Sequence, residues 1–238
     1  MTDKDQWTRW GAVSAIVGGL VFLVPLLFYF YLLPAAGSSA THAQDPASFL
    51  PWMVAHGGVR VALWWTVCLA LLVVLLGVPF ALRRKLANYG PTPAQVAELA
   101  GVLGAFSIIL ASLALAAGEM PLAQAYVAAS VEARPAIVAI YEWQRLVTAL
   151  LFDVLGFFLL GVWILVSSAA GLRCGGLPKG IGWFGVVAGV LSLCVATGYV
   201  TEITWLGELG LGALAFLAVP AWLIGLGITF WRSGEEKP

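Results

Sequence analysis

Charge is what this 238-residue chain has least of: 10% of its residues are Asp, Glu, Lys or Arg, against 61% hydrophobic ones. That ratio leaves no room for a separate soluble domain, so one integral membrane domain over residues 1–238 is expected. The formal net charge is zero, and no basic stripe is present to attract nucleic acid. Cysteine is scarce as well. Cys68 and Cys194 lie in apolar stretches and Cys174 in a polar break, so no disulfide framework is expected and the buried thiols read as small apolar residues. Soluble-enzyme signatures are missing: there is no Gly-x-Ser-x-Gly, no His-Glu-x-x-His, no phosphate loop and no Cys-x-x-Cys-His. No lysine falls inside an apolar run, which excludes a retinal Schiff base. No internal repeat supports an inverted-repeat transporter, and no cofactor is expected.

What the chain does have is six long apolar runs, at Trp10–Leu33, Val59–Leu82, Val96–Ala117, Ile137–Ala169, Gly180–Val200 and Leu209–Phe230. Each reaches about the 20 residues that a helix needs to cross a hydrocarbon core. The fold class expected is all-α, a polytopic six-helix transmembrane bundle with short outer interfacial helices. Nine of the twelve Lys and Arg (Lys4, Arg9, Arg83, Arg84, Lys85, Arg173, Lys179, Arg232 and Lys237) fall at the termini and in the second and fourth breaks. Only Arg60, Arg134 and Arg145 lie towards the other side, so both termini are expected in the cytoplasm. An even number of spans demands that the termini share a side. The first run exceeds the roughly 7–15 residues of a signal-peptide core, so it reads as a retained anchor. Trp7, Trp10, Trp183 and Trp231 fall near the inner boundary, and Trp52, Trp143 and Trp205 near the outer one.

Between the first two runs, Asp45-Pro46 is a helix start signal, with a capping carboxylate followed by Pro in the first turn. A short interfacial helix over 47–56 is expected, kinked or restarted at Pro51 and stopped by Gly57-Gly58. A second is expected in the stretch from Glu119-Met120-Pro121 to Pro135. In the third run Ala97, Ala100, Gly104, Ser107, Ala111, Ala114 and Gly118 recur at steps of three and four, so seven small residues share one face. Such a face lets backbones approach closely where lipid offers no hydrophobic drive, which would make this span a close-packed central element. Gly182, Gly185 and Gly189 give the fifth run a shorter seam, and Pro25 and Pro220 are expected to kink the first and sixth.

The fourth run carries the residues most suggestive of chemistry: Glu142, Gln144, Arg145, Thr148 and Asp153 in an otherwise apolar stretch. Asp153 falls near mid-membrane, where a charge costs about 2.5–3.5 kcal/mol on insertion scales. Glu142 and Arg145 are one turn apart and can pair. Arg145 and Asp153 are separated by about 12 Å of helix rise, too far for a direct bond. Asp153 is therefore expected to be protonated or to bond hydroxyls such as Ser107, Ser112 or Thr66. It reads either as a proton-responsive or ligand-binding carboxylate or as a hydrogen bond that sets helix register. Near the outer surface gather Asp45, Glu119, Glu132, Glu142, Glu202 and Glu208, with His42, His56, Arg60, Arg134 and Arg145. Glu119, Glu202 and Glu208 sit at span ends, where Glu142 and Arg145 can meet them. The metal-ligand candidates are His42 and His56, although their spacing to Asp45 matches no recognised pattern.

Two stretches carry a family resemblance. One is Asp45-Pro46-Ala47-Ser48-Phe49-Leu50 followed by Ala55-His56-Gly57-Gly58-Val59-Arg60; the other is Leu177-Pro178-Lys179-Gly180-Ile181-Gly182-Trp183-Phe184-Gly185. With the length and the six-span layout, they make the chain resemble the bacterial membrane proteins grouped as DUF4386. The resemblance implies architecture and a bacterial inner-membrane location, and carries no catalytic residues. The function expected is that of a non-catalytic integral membrane protein, an accessory or assembly subunit with a protein partner or a second copy as neighbour. The alternative is a small transporter or ligand-binding protein using a cavity near Asp153, Glu142 and Arg145. A third reading is an intramembrane enzyme drawing on His42, His56 and the outer acids.

Overall fold

A computed structural model describes residues 3–38, 42–87, 91–201, 203 and 211–233, and among them all regular structure is helical. Helix α1 (Asp3–Leu27) continues through a π-helical segment, Phe28–Leu32, into the single turn α2 (Leu33–Ala35). A 3-10 turn at His42–Gln44 leads to α3 (Pro46–Leu75), followed by α4 (Val78–Leu86) and α5 (Pro91–Ala128). Then come α6 (Arg134–Ala149), a second π-helical segment (Leu150–Gly156), α7 (Phe157–Arg173), α8 (Lys179–Thr201) and α9 (Leu211–Ser233). Six stretches are long and apolar enough to cross a membrane: Gln6–Ala35, Pro46–Leu86, Thr92–Ala128, Arg134–Arg173, Lys179–Thr201 and Leu214–Ser233.

Asp45 caps α3 as its residue type requires: its Oδ1 accepts from the Ala47 amide at 3.2 Å, and Pro46 supplies the first turn. The stretch 47–56 is helical, but it does not end at Gly57-Gly58. Neither glycine adopts the positive φ of a left-handed cap; among the described residues only Gly37 and Gly175 do. Gly57 is buried instead, with the Met53 and Met120 side chains closing over the space a Cβ would fill. The outer helix and the second span are therefore one 30-residue helix, which runs on through Pro51. That span breaks where no break was expected, at Leu76–Gly77. Pro79 stands in the first turn of α4 and has no N–H to offer the carbonyl of the preceding turn, so α3 ends and α4 starts afresh. Helix α5 likewise passes through Pro121 to Ala128, absorbing most of the second expected outer helix.

These extensions matter for placement. Thirty-eight residues of α5 rise about 57 Å, against about 30 Å of hydrocarbon, so at ordinary tilts the helix projects beyond the apolar layer. The outer ends of α3, α5 and α6 build a small second core from Phe49, Leu50, Met53, Ala123, Tyr126 and Tyr141, separate from the main one.

The long helices pack in chain order around a closed ring: α1 on α3, α3 on α5, α5 on α7, α7 on α8, α8 on α9 and α9 back on α1. Helix α5 is the most buried of the six spans, yet it is a member of this ring rather than its axis. The difference arises because its small residues serve mainly one neighbour. Gly104 lies against the Leu160 and Gly156 backbone, the Ser107 hydroxyl donates to the Leu151 carbonyl at 2.7 Å, and Gln144 Nε2 donates to the Ala114 carbonyl at 2.8 Å. Ala97, Ala100, Gly104, Ser107 and Ala111 are buried, Gly118 is half-buried under Gln144, and Ala114 is exposed. The main core also holds Trp163 and Trp222, edge to face at 5.5 Å.

Space at the α5–α7 contact is testable. A Cβ on Gly104 would lie 2.9 Å from the Leu160 amide nitrogen, a backbone atom that cannot turn aside. Gly104→Leu should destabilise the bundle by about 1–3 kcal/mol in reversible detergent unfolding. Gly58→Ala, which meets nothing within 4 Å, should leave stability unchanged or raise it by up to about 1 kcal/mol.

Candidate functional site

The outer ends of α3, α5 and α6 converge on a buried ion pair. Arg60 and Trp64 are one turn apart on α3 and so share a face. Glu119, on α5, is fully buried. Arg60 Nε donates to Glu119 Oε2 at 2.7 Å and Nη2 to Oε1 at 2.9 Å, a bidentate arrangement that fixes orientation as well as charge. Trp64 Nε1 adds a third donor at 3.3 Å. The guanidinium lies over two rings, 4.9 Å from the Phe49 centroid and 5.3 Å from that of Trp64. A cation in an apolar setting gains from such faces, and here they also wall it from solvent.

Around this pair, polar side chains tie down the connection between α2 and α3. Tyr141, buried on α6, donates to the Ala43 carbonyl at 3.0 Å, and Arg145 Nη1 donates to the same oxygen at 2.8 Å. Trp52 Nε1 donates to the Ala36 carbonyl at 2.7 Å. His42 meets Phe49 and Trp52 edge-on, while His56 stacks on Trp52 at 5.5 Å. A carbonyl drawn away from water needs a donor, and Tyr141, Arg145 and Trp52 supply them here.

The profile of one family, described as Domain of unknown function (DUF4386), matches residues 17–232. The chain belongs to the DUF4386 family. No curated protein and no solved structure matches it. The DUF4386 match takes in Arg60, Glu119, Tyr141 and Asp153 alike, so the geometry itself has to rank them.

In this DUF4386 protein the residues expected to cooperate are dispersed. Glu119 is at the centre of the ion pair, but its partner is Arg60, not Arg145. Glu142 and Arg145 do not pair: Glu142 is exposed, and the Arg145 guanidinium is turned to the Ala43 carbonyl at 2.8 Å. Asp153 lies half-buried in the second π-helical segment and is not without a partner. The hydroxyls expected to serve it are directed elsewhere. Ser107 donates to Leu151, Thr66 to the Leu63 carbonyl of its own helix, and Ser112 Oγ is buried with no hydrogen bond. Glu202 and Glu208 lie outside the described residues. His42 and His56 share Trp52 as a packing partner, and among the described residues no three His, Cys, Asp or Glu side chains gather to hold a metal. Glu132 is exposed in the α5–α6 loop, its carboxyl held below the usual range by its own backbone N–H and the Ser130 hydroxyl.

Sequence reasoning placed Arg60 and Trp52 at the outer end without their partners, and missed Trp64 and Tyr141. A signal for the partner of Arg60 was present. Arg60 opens the second apolar run and Glu119 follows the third, so two consecutive antiparallel runs bring the two to the same end. Tyr141 and Trp52 gave no such signal, because their partners are backbone carbonyls.

Removing one partner strands a buried charge. Glu119→Gln or Arg60→Gln alone should cost about 3–5 kcal/mol, while the double variant Arg60→Met with Glu119→Leu should cost much less than the sum. Detergent unfolding of all three variants reads this; additive losses would mean the two groups do not interact.

Proposed function

We propose that this DUF4386 protein is a non-catalytic accessory or assembly subunit of a larger complex in a bacterial inner membrane, with both termini cytoplasmic. One observation carries the reading. The fully buried carboxylate among the described residues, Glu119, is saturated by donors from its own chain, and the polar groups around it are committed to backbone carbonyls. A site built to bind or turn over a ligand keeps polar groups aimed at open space; these are aimed at the fold. The lateral surface, by contrast, exposes large apolar and aromatic side chains such as Trp10, Trp65, Phe106, Trp143 and Trp183. That surface suits lipid, a protein partner or a second copy of the chain.

A second reading, a small transporter or ligand-binding protein, is favoured by a separate observation. Asp153 sits in a seven-residue π-helical segment, a geometry that recurs at functional sites. A groove of about 260 Å³ lies against the same segment, lined by Val154, Leu155, Phe158, Ala196, Thr197 and Val200.

Native mass spectrometry of the protein extracted from its own membrane in mild detergent tests the first reading. A stoichiometric protein partner, kept in Asp153→Asn, is the expected result. A lone chain carrying a small molecule that Asp153→Asn loses would overturn it in favour of the second.

A further inference from the structure

The end of the bundle opposite the Arg60–Glu119 pair is rich in cations. Arg84 lies over the Trp7 ring at 4.8 Å, Arg83 pairs with Glu98 at 2.7 Å, and Lys85 Nζ reaches Ser233 Oγ at 3.3 Å and the Phe230 ring at 5.0 Å. These contacts place the start of α1, the end of α4, the first turns of α5 and the end of α9 together. Arg232 stands apart in this group: it is exposed and makes no hydrogen bond, ion pair or ring contact with the described residues. It closes a groove of about 320 Å³ between the first and last spans, whose other lining residues are Ile16, Ile228 and Trp231. Helices α1 and α9 run antiparallel there, since Gly11 faces Phe230 and Gly227 faces Ile16. That register sets Arg9 level with Arg232, two turns along α1 from Ile16 and on the same face.

An apolar slot that ends in an exposed indole and a guanidinium with no partner among the described residues has the amphipathic profile of a phospholipid. We propose that the α1–α9 groove binds one anionic phospholipid, its acyl chain along Ile16 and Ile228 and its phosphate on Arg232, with Trp231 at headgroup level. Charge complementarity selects the occupant. The nine Lys and Arg that the sequence places towards this end outnumber its five acids, Asp3, Asp5, Glu98, Glu235 and Glu236, so the excess is positive and attracts anionic headgroups. The groove beside Asp153 is the internal contrast: it is similar in size and apolar character, and no cation lines it. The proposal rests on the chain being a membrane protein and stands whether or not it is an accessory subunit.

The test reconstitutes the full chain in phosphatidylcholine nanodiscs doped with phosphatidylglycerol, then counts retained lipid by native mass spectrometry after mild detergent release. One phosphatidylglycerol per chain is expected, retained about five- to ten-fold over phosphatidylcholine. Arg232→Gln, a change on the exposed surface, should abolish the preference and Arg232→Lys should keep part of it. Ile16→Trp, which fills the slot, should release the lipid, while Ala196→Trp in the second groove should not. Equal retention of the two lipids, or an unchanged preference in Arg232→Gln, would overturn the proposal. So would displacement of the lipid by inorganic phosphate, which would show an anion site with no role for the acyl chain.

Discussion

Hydrocarbon offers no hydrogen-bond partner, so every polar group this chain carries into a bilayer must find one within the chain. The backbone meets that demand by becoming helix. Many side chains meet it locally: Thr66, Thr148, Ser192, Thr197 and Thr229 return their hydroxyl protons to carbonyls one turn back. A few reach across. Ser107 joins α5 to the fourth span's π-helical segment, Gln144 joins α6 to α5, and the Arg60–Glu119 pair joins α3 to α5. These cross-helix bonds carry direction that van der Waals contact between apolar helices lacks, and they fix the level at which neighbours meet. The demand is not met everywhere, since Ser112, Ser167, Ser168, Trp163 and Trp222 keep buried polar atoms without partners. Around Trp163 and Trp222, aromatic packing in the core prevails over hydrogen bonding.

The two ends of the bundle handle charge in opposite ways. At one end a guanidinium and a carboxylate neutralise each other inside an aromatic shell, and the connection from α2 to α3 is fastened above them. Burying a charge pair is weak evidence of net stability, because desolvation offsets much of the attraction; its value lies in specifying one register over others. At the other end the described cations stay at the surface, where aromatic faces and the Glu98 carboxylate meet them. The described residues therefore differ between the ends, with a charge pair enclosed at one and cations exposed at the other.

Much of this was legible in the residues. Run length and composition are properties of single segments, and crossing a hydrocarbon layer depends on little else, so six spans could be read directly. The Asp45 cap was legible for the same reason, being a contact between near neighbours. Breaks were less so. Gly57-Gly58 has the composition of a stop, yet a glycine ends a helix only when the chain beyond it turns away, and Met53 and Met120 hold it straight. Glu142 and Arg145 have the spacing of a pair, but Ala43, about a hundred residues earlier, offers Arg145 a carbonyl acceptor.

The sequence by itself therefore determined an all-helical chain with six segments able to span a membrane, its basic residues concentrated towards the end that holds the termini, because each of these follows from local length, hydropathy and charge. Only the tertiary structure decided that the spans close into a ring, that Arg60 is the partner of Glu119, and that Arg145 serves a loop carbonyl. Those outcomes depend on which faces meet across long separations in the chain. A buried polar group chooses its partner by the geometry of the whole bundle, and no neighbouring residue carries that information.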